Sequence, residues 1–276
     1  MFTKEEEKRI IVPIAEKLIE TRKKGSTAVV GIQGGQGTGK TTIVKFLGKN
    51  LKKKGFKVQC FSIDDFYKTW KERKALQKKY PANPFYQISR GLPGTHRVKL
   101  LRETLRKAKE GKDFEMPIFD KSLYGGKGDV LAETRKVRGR QDFVIMEGWC
   151  VGIPEVSSKT FLSVCKKNKI NIWKLDPNLK YHKVVLNFVK GYQQLWKFMD
   201  YVVMLKADSP EAHKEWRLLQ EKQLRKKKGQ SMSRQKVYDF VEPFLPFTYV
   251  CYDLIDPDAK VLIGGDHNFY NIIFKK

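Results

Sequence analysis

Apolar positions follow two rhythms along this chain. Between residues 4 and 24, Ile10, Ile11, Ile14, Leu18 and Ile19 recur at helical spacing, which predicts an amphipathic helix opened by a Thr3/Glu6 capping box and kinked at Pro13. Elsewhere the apolar residues gather in short runs. Thr27–Gln33, Lys57–Ile63, Asp142–Met146 and Tyr201–Lys206 read as buried strands. A helix is expected from about Lys40 to Lys54, stopped by Gly55, followed much later by a basic helix over Glu211–Lys228 and another near Arg234–Phe240. Strands alternating with helices predict a doubly wound, mainly parallel sheet whose ligands sit at the carboxyl ends of the strands.

Composition narrows the picture modestly. The chain has 276 residues, 41% hydrophobic and 31% charged, which suits one globular α/β domain spanning 1–276 and not a disordered chain. Within it, residues 1–26 are read as an N-terminal helix, 66–98 as an acceptor-side insertion and 208–247 as a helical lid. The charged N-terminus and the lack of a long apolar run predict a cytoplasmic chain with no membrane partner. Four separated cysteines, Cys60, Cys150, Cys165 and Cys251, read as reduced, buried thiols. A net charge of +26 attracts anions, but the lysines are spread along the chain without a repeated basic-aromatic module. A solvated basic surface is therefore expected, with no specific nucleic-acid partner. Oligomeric state is left open.

Candidate chemistry begins after the first strand. Gly34-Gly35-Gln36-Gly37-Thr38-Gly39-Lys40-Thr41 matches GxxxxGK[ST] between a strand and a helix, so backbone N–H groups, with Thr42 following in the helix, are expected to cradle the phosphates of ATP. Lys40 would reach the terminal phosphates. Thr41 would ligate Mg2+, with Glu147 at the end of the Val144–Met146 run as the second anchor, acting through water. Ser62-Ile63-Asp64-Asp65-Phe66-Tyr67 brings two carboxylates to the end of the second strand, and one of them can accept the proton of an attacking hydroxyl. If the strand runs on through them, alternation turns Asp64 toward the nucleotide and Asp65 away. On the basic helix, Arg217 can close over the transferring phosphate, with Arg225 on a broadly similar side; Lys226–Lys228 reads as solvated.

In order along the chain stand the phosphate loop, Ser-Ile-Asp-Asp-Phe-Tyr, Arg90-Gly91-Leu92-Pro93-Gly94-Thr95-His96, Phe119-Asp120-Lys121-Ser122, Gly126-Lys127-Gly128-Asp129, Glu147-Gly148-Trp149 and Trp216-Arg217-Leu218. From about residue 28 to 255 this resembles the D-glycerate 3-kinase and fungal P-loop kinase-like family. More distantly it resembles the uridine kinase, phosphoribulokinase and pantothenate kinase group. The resemblance implies a three-layer αβα P-loop NTPase fold with helical lid and insertion segments. It also implies ATP and Mg2+ as cofactors, transfer to a hydroxyl of a small, anionic acceptor, and D-glycerate as that acceptor. By the same resemblance Asp64 is the catalytic base beside Lys40 and Arg217, while Asp65, Tyr67, Arg90, Thr95, His96, Asp120 and Lys121 fall on the substrate side. The chain departs from the family pattern at Arg97 and Val130. Other acceptors, a nucleoside, a pantothenate-like compound or a sugar phosphate, stay open, as does a nucleic-acid-stimulated ATPase.

Overall fold

The β-branched run after the first helix becomes β1 (Ala28–Gly34), buried at every position. The other strands are β2 (Val58–Ser62), β3 (Phe114–Asp120), β4 (Asp129–Val137), β5 (Phe143–Gly148), β6 (Tyr201–Ala207), β7 (Ala259–Ile263) and β8 (Phe269–Phe274). Six of them form one sheet in the order β2-β5-β1-β6-β7-β8, parallel except for β8, while β3 and β4 make a separate antiparallel pair. Full burial of β1 and β5 requires cover on both faces, as expected of a parallel sheet. This computed structural model describes residues 3–228 and 232–276; the side chains of 223–228, Arg225 and Lys226–Lys228 among them, lie outside the described residues.

Two expectations at the N-terminus are modified. The capping box forms: Glu6 N donates to Thr3 Oγ1 at 3.0 Å, and Thr3 N donates to the Glu6 carboxylate at 2.8 Å. Pro13 produces no break in the interior of a regular helix. A π-helical stretch, Glu7–Ile11, precedes it and puts Pro13 in the first turn of the helix Val12–Thr21, where its missing N–H costs least. That helix stops at Thr21, short of residue 24, because Arg22 turns extended. Arg22 then donates to the Ser26 carbonyl and pairs with Asp142 at 3.1 Å.

Register fixes where the chemistry converges. Glu147 of β5 lies opposite both Ser62 of β2 and Ile32 of β1, so the ends of three strands share one row beside the glycine-rich loop. The chain between β2 and β5 then leaves the sheet and returns. Its neck is zipped by backbone bonds from Lys68 N to Thr95 O (2.8 Å) and from Arg97 N to Phe66 O (2.7 Å), with Tyr67 and His96 bridged between them.

Arg73 holds this excursion together. It sits on the helix Trp70–Lys79 and is only 1% exposed. Its guanidinium donates to the carbonyls of Lys68, Ser89, Lys127 and Gly128, tying the helix to the β3–β4 turn, while Asp129 accepts the Trp70 N–H at the start of that helix. Replacing Arg73 with Met keeps bulk but strands several buried carbonyls. We expect a loss of at least about 2 kcal/mol of stability by denaturant titration, whereas Lys74→Met, on the exposed face, should change it by less than about 0.5 kcal/mol.

Candidate active site

Gly34 ends β1, and the loop that follows turns into the helix Lys40–Lys53 through Gly37 and Gly39, whose φ values of 79° and 83° favour glycine. The outside of the loop is gripped by the C-terminal part of the chain. Because a carbonyl can only accept, His213 Nδ1 must donate to Gln36 O and His267 Nε2 to Gly37 O, each at 2.7 Å. Gly35 N donates to the Tyr252 hydroxyl at 3.1 Å. Trp216 packs so closely on the loop that a Cβ added to Gly37 would lie 2.7 Å from its own. Burial lowers the His213 pKa to about 4, keeping the ring neutral. Lys40 bends inward and donates to Gly35 O at 2.8 Å. Burial lowers its pKa, partly offset by Glu147 and Asp64.

Thr41 Oγ1 donates to Glu147 Oε1 at 3.1 Å. Burial raises the Glu147 pKa and Lys40 counters it. A hydroxyl and a single carboxylate beside a phosphate cradle are hard oxygen donors that fit a magnesium ion keeping most of its ligands as water and phosphate. Among the described residues no cluster of three or more His, Cys, Asp or Glu offers an all-protein metal cage.

The acceptor side corrects the expected strand geometry. Strand β2 stops at Ser62, and Ile63–Phe66 forms a 3-10 turn, so alternation along a strand does not set the directions of the two aspartates. Ser62 organises the turn: its hydroxyl accepts Asp64 N (3.2 Å), and its own N–H donates to Asp65 Oδ2 (3.1 Å). Asp65 thus caps the turn through Oδ2 and lines a separate space with Thr41 and Glu147. Asp64 points the other way, with Oδ1 accepting from the Tyr67 hydroxyl at 2.7 Å and Oδ2 paired with Lys121 at 2.9 Å. Burial pushes the Asp64 pKa up, but Lys121 and the hydrogen bonds from Lys121 and Tyr67 outweigh it and hold the carboxyl below its usual range. For Asp65 burial prevails and the pKa rises.

Asp64, Lys40, Glu147, Gln36, Tyr67, Arg90, Lys121 and Arg217 all line one cavity of about 160 Å3, walled further by Trp149, Phe240 and Phe244. Arg217 reaches it from the helix Pro210–Lys228, stacked on Phe240 and bonded to Gln220 and Glu221. Its Nε is buried without a partner. Thr95, His96 and Asp120 do not line this space. His96 lies behind Tyr67, stacked on its ring and 2.7 Å from the Tyr192 hydroxyl, with its pKa lowered to about 4 by burial. Thr95 Oγ1 donates to Leu92 O, and Asp120 accepts from Ser122. Thr42 is exposed on the first helical turn. Arg97 pairs with Glu72 at 3.4 Å and Val130 follows the helix-capping Asp129, so neither departure from the family pattern lines the cavity.

Comparison with known proteins finds kinases along most of the chain. A family model described as "Methylmalonyl Co-A mutase-associated GTPase MeaB" matches residues 5–68, the segment that carries the phosphate loop and Asp64. The "Uncharacterized kinase mug58" of Schizosaccharomyces pombe is 36% identical over 251 residues, covering 88% of each chain. A chloroplastic D-glycerate 3-kinase of Arabidopsis thaliana is 33% identical over 228 residues, 79% of this chain and 46% of that protein, so the chain spans about half of its length. The chain belongs to the D-glycerate 3-kinase and fungal P-loop kinase family. The fold of this P-loop small-molecule kinase also matches a D-glycerate 3-kinase structure from Cryptococcus neoformans, with a TM-score of 0.84 at 24% identity over 96% of this chain and 99% of that one. Among the described residues no helix is long and apolar enough to cross a membrane.

Some site residues were not anticipated. His213, His267 and Tyr252 grip the loop across 177, 230 and 217 residues of sequence, and no local pattern marks them. If Glu147 anchors the metal through water, Glu147→Gln should raise the magnesium concentration for half-maximal turnover by roughly 10–100-fold, measured by titrating Mg2+ at saturating ATP. An unchanged requirement would remove Glu147 from that role.

Proposed function

We propose that this kinase transfers the γ-phosphoryl group of ATP to the 3-hydroxyl of D-glycerate. One observation supports the acceptor class most directly: Lys40, Arg90, Lys121 and Arg217 share a cavity of about 160 Å3 with only two carboxylates, Asp64 and Glu147, among its described lining residues. A small anionic acceptor fits such a cationic space, where charge-assisted contacts fix its position. The D-glycerate specificity is taken from the name of the Arabidopsis relative.

Backbone N–H groups of the glycine-rich loop, other than that of Gly35, and the amino group of Lys40 bind the phosphates. Thr41 and Glu147 would hold Mg2+, which when bound neutralises charge on the phosphate oxygens. Arg90 pairs with the acceptor's carboxylate, since a charge-assisted contact fixes a small flexible acid. Asp64 accepts a hydrogen bond from the acceptor's hydroxyl and orients it for in-line attack. With a pKa below the usual range it is a weak base before the reaction, so it takes the proton late, when bonding to phosphorus has made the hydroxyl acidic. Arg217 closes the lid side and stabilises the charge of the transferring group. Residues 66–98 and 208–247 thus act as acceptor-side insertion and lid.

An ADP-release assay over D-glycerate, L-glycerate, uridine, pantothenate and ribulose 5-phosphate, with the product identified, tests the acceptor. D-glycerate should give the highest kcat/KM and 3-phosphoglycerate as product; a preference for any other compound would overturn this assignment. In the same assay Asp64→Asn should lower turnover roughly 10²–10⁴-fold with little change in ATP affinity, whereas Asp65→Asn, a change at a cap, should cost far less.

A further inference from the structure

Away from the phosphoryl-transfer cavity, Ser158, His182 and Asp176 form a hydrogen-bonded chain. Asp176 Oδ2 lies 2.6 Å from His182 Nδ1, and His182 Nε2 lies 2.6 Å from Ser158 Oγ. None of the three lines the kinase cavity. Their protonation order follows from the contacts of Asp176. Its Oδ1 accepts the Lys180 N–H and its Oδ2 the His182 N–H, each at 2.9 Å, in addition to the imidazole. Burial opposes ionisation of Asp176, but these donors outweigh it and lower its pKa. An ionised carboxylate can only accept, so Nδ1 carries the hydrogen; in the neutral ring Nε2 then has the lone pair to which the Ser158 hydroxyl can donate. The ring is fixed as well: His182 and Asp176 are fully buried, and Phe161 stacks on the imidazole at 4.9 Å with a 4° interplanar angle.

Ser158 itself is only partly buried. It is the first residue of the helix Ser158–Lys167, and the Ser157 hydroxyl takes the N–H of Thr160 at 3.1 Å. The N–H groups of Ser158 and Lys159 have no carbonyl one turn back, and no hydrogen bond among the described residues uses them. Two free donors thus stand at the positive end of a helix beside the hydroxyl. In front lies an open cavity of about 730 Å3, with Lys183, Leu186 and Lys190 from the helix Tyr181–Trp196 and with Val156 and one carboxylate, Glu155, from the segment before Ser158.

We propose that Ser158, His182 and Asp176 are a second reactive site, a base-activated serine nucleophile for acyl esters that carry an anionic group. The geometry is that of nucleophile, base and orienting acid. In the first step Ser158 Oγ bonds to the ester's carbonyl carbon while its proton passes to His182 Nε2. The carbonyl oxygen, now carrying the displaced electron pair, faces the N–H groups of Ser158 and Lys159. The C–O bond to the alcohol then breaks and the alcohol leaves with that proton. Water, attacking by the same route, releases the acid and restores Ser158. Lys183 and Lys190 select the anionic group, and Leu186 and Val156 the apolar part of the acyl chain.

The alternative is a purely structural fastening of this helix to the turn before His182. Both readings have the same hydrogen bonds, and they differ in reactivity. Treating the full chain with a fluorophosphonate probe separates them. One equivalent should add, with loss of fluoride, and peptide mapping should place the adduct on Ser158. Ser158→Ala should take no label while keeping ATP-dependent turnover within about twofold, and His182→Gln should label at least about 100-fold more slowly. Hydrolysis of p-nitrophenyl acetate should fall at least about tenfold in Ser158→Ala. Absence of an adduct on the wild-type chain, an adduct on another residue, or equal labelling of wild type and Ser158→Ala would each overturn the proposal; the first two need no variant to fold.

Discussion

Lys40, Arg90, Lys121 and Arg217 are drawn from four separate parts of the chain into a space of about 160 Å3. Like charges brought together repel, and more strongly where burial removes water, as it does around Lys40 and Arg217. The repulsion is felt: Lys121 helps to lower the Lys40 pKa, and Arg90 that of Arg217, behind burial in each case. Asp64 and Glu147 offset part of it, Asp64 through its ion pair with Lys121 and Glu147 across from Lys40. An incoming polyanion relieves the remainder. The excess positive charge favours binding of phosphate groups, and the scaffold must hold it in place.

Much of the fold answers to that demand. The parallel register of β2, β5 and β1 sets Ser62, Glu147 and the phosphate loop in one row. Arg73 binds the excursion that carries Arg90 to the turn beyond Lys121, using four backbone carbonyls from separate segments. His213 and Trp216 anchor the helix that carries Arg217 directly to the glycine-rich loop, and Trp216 also donates to Gly265 O near His267. The start of the helix that carries Arg217 is therefore a fixed wall of the site.

What the sequence made legible is what local pattern encodes. Asp64 and Glu147 stand at the carboxyl end of a buried apolar run, and Lys40 and Thr41 close the glycine-rich motif that follows one; all of these are local features. Asp64 and Asp65 part in direction, but not by the expected alternation along a strand: the strand stops at Ser62 and a capped 3-10 turn does the sorting. The β3–β4 pair was not anticipated because β4 is largely exposed and its charged sequence shows no apolar alternation. Likewise β8, an antiparallel edge strand, is half exposed. Thr95, His96 and Asp120 fall within motifs of the family, yet a motif marks a segment and not the facing of each side chain; His96 turns inward to support Tyr67.

The account rests on the cationic cavity being the acceptor's place, with its hydroxyl on Asp64. A crystal structure of the chain with Mg2+, a non-hydrolysable ATP analogue and D-glycerate tests this most directly. The account predicts the glycerate carboxylate within about 3 Å of Arg90, its 3-hydroxyl within about 3 Å of an Asp64 oxygen, and that hydroxyl in line with the γ-phosphorus. Glycerate bound outside the cavity, or with its hydroxyls turned away from Asp64 while the nucleotide occupies the phosphate loop, would contradict it.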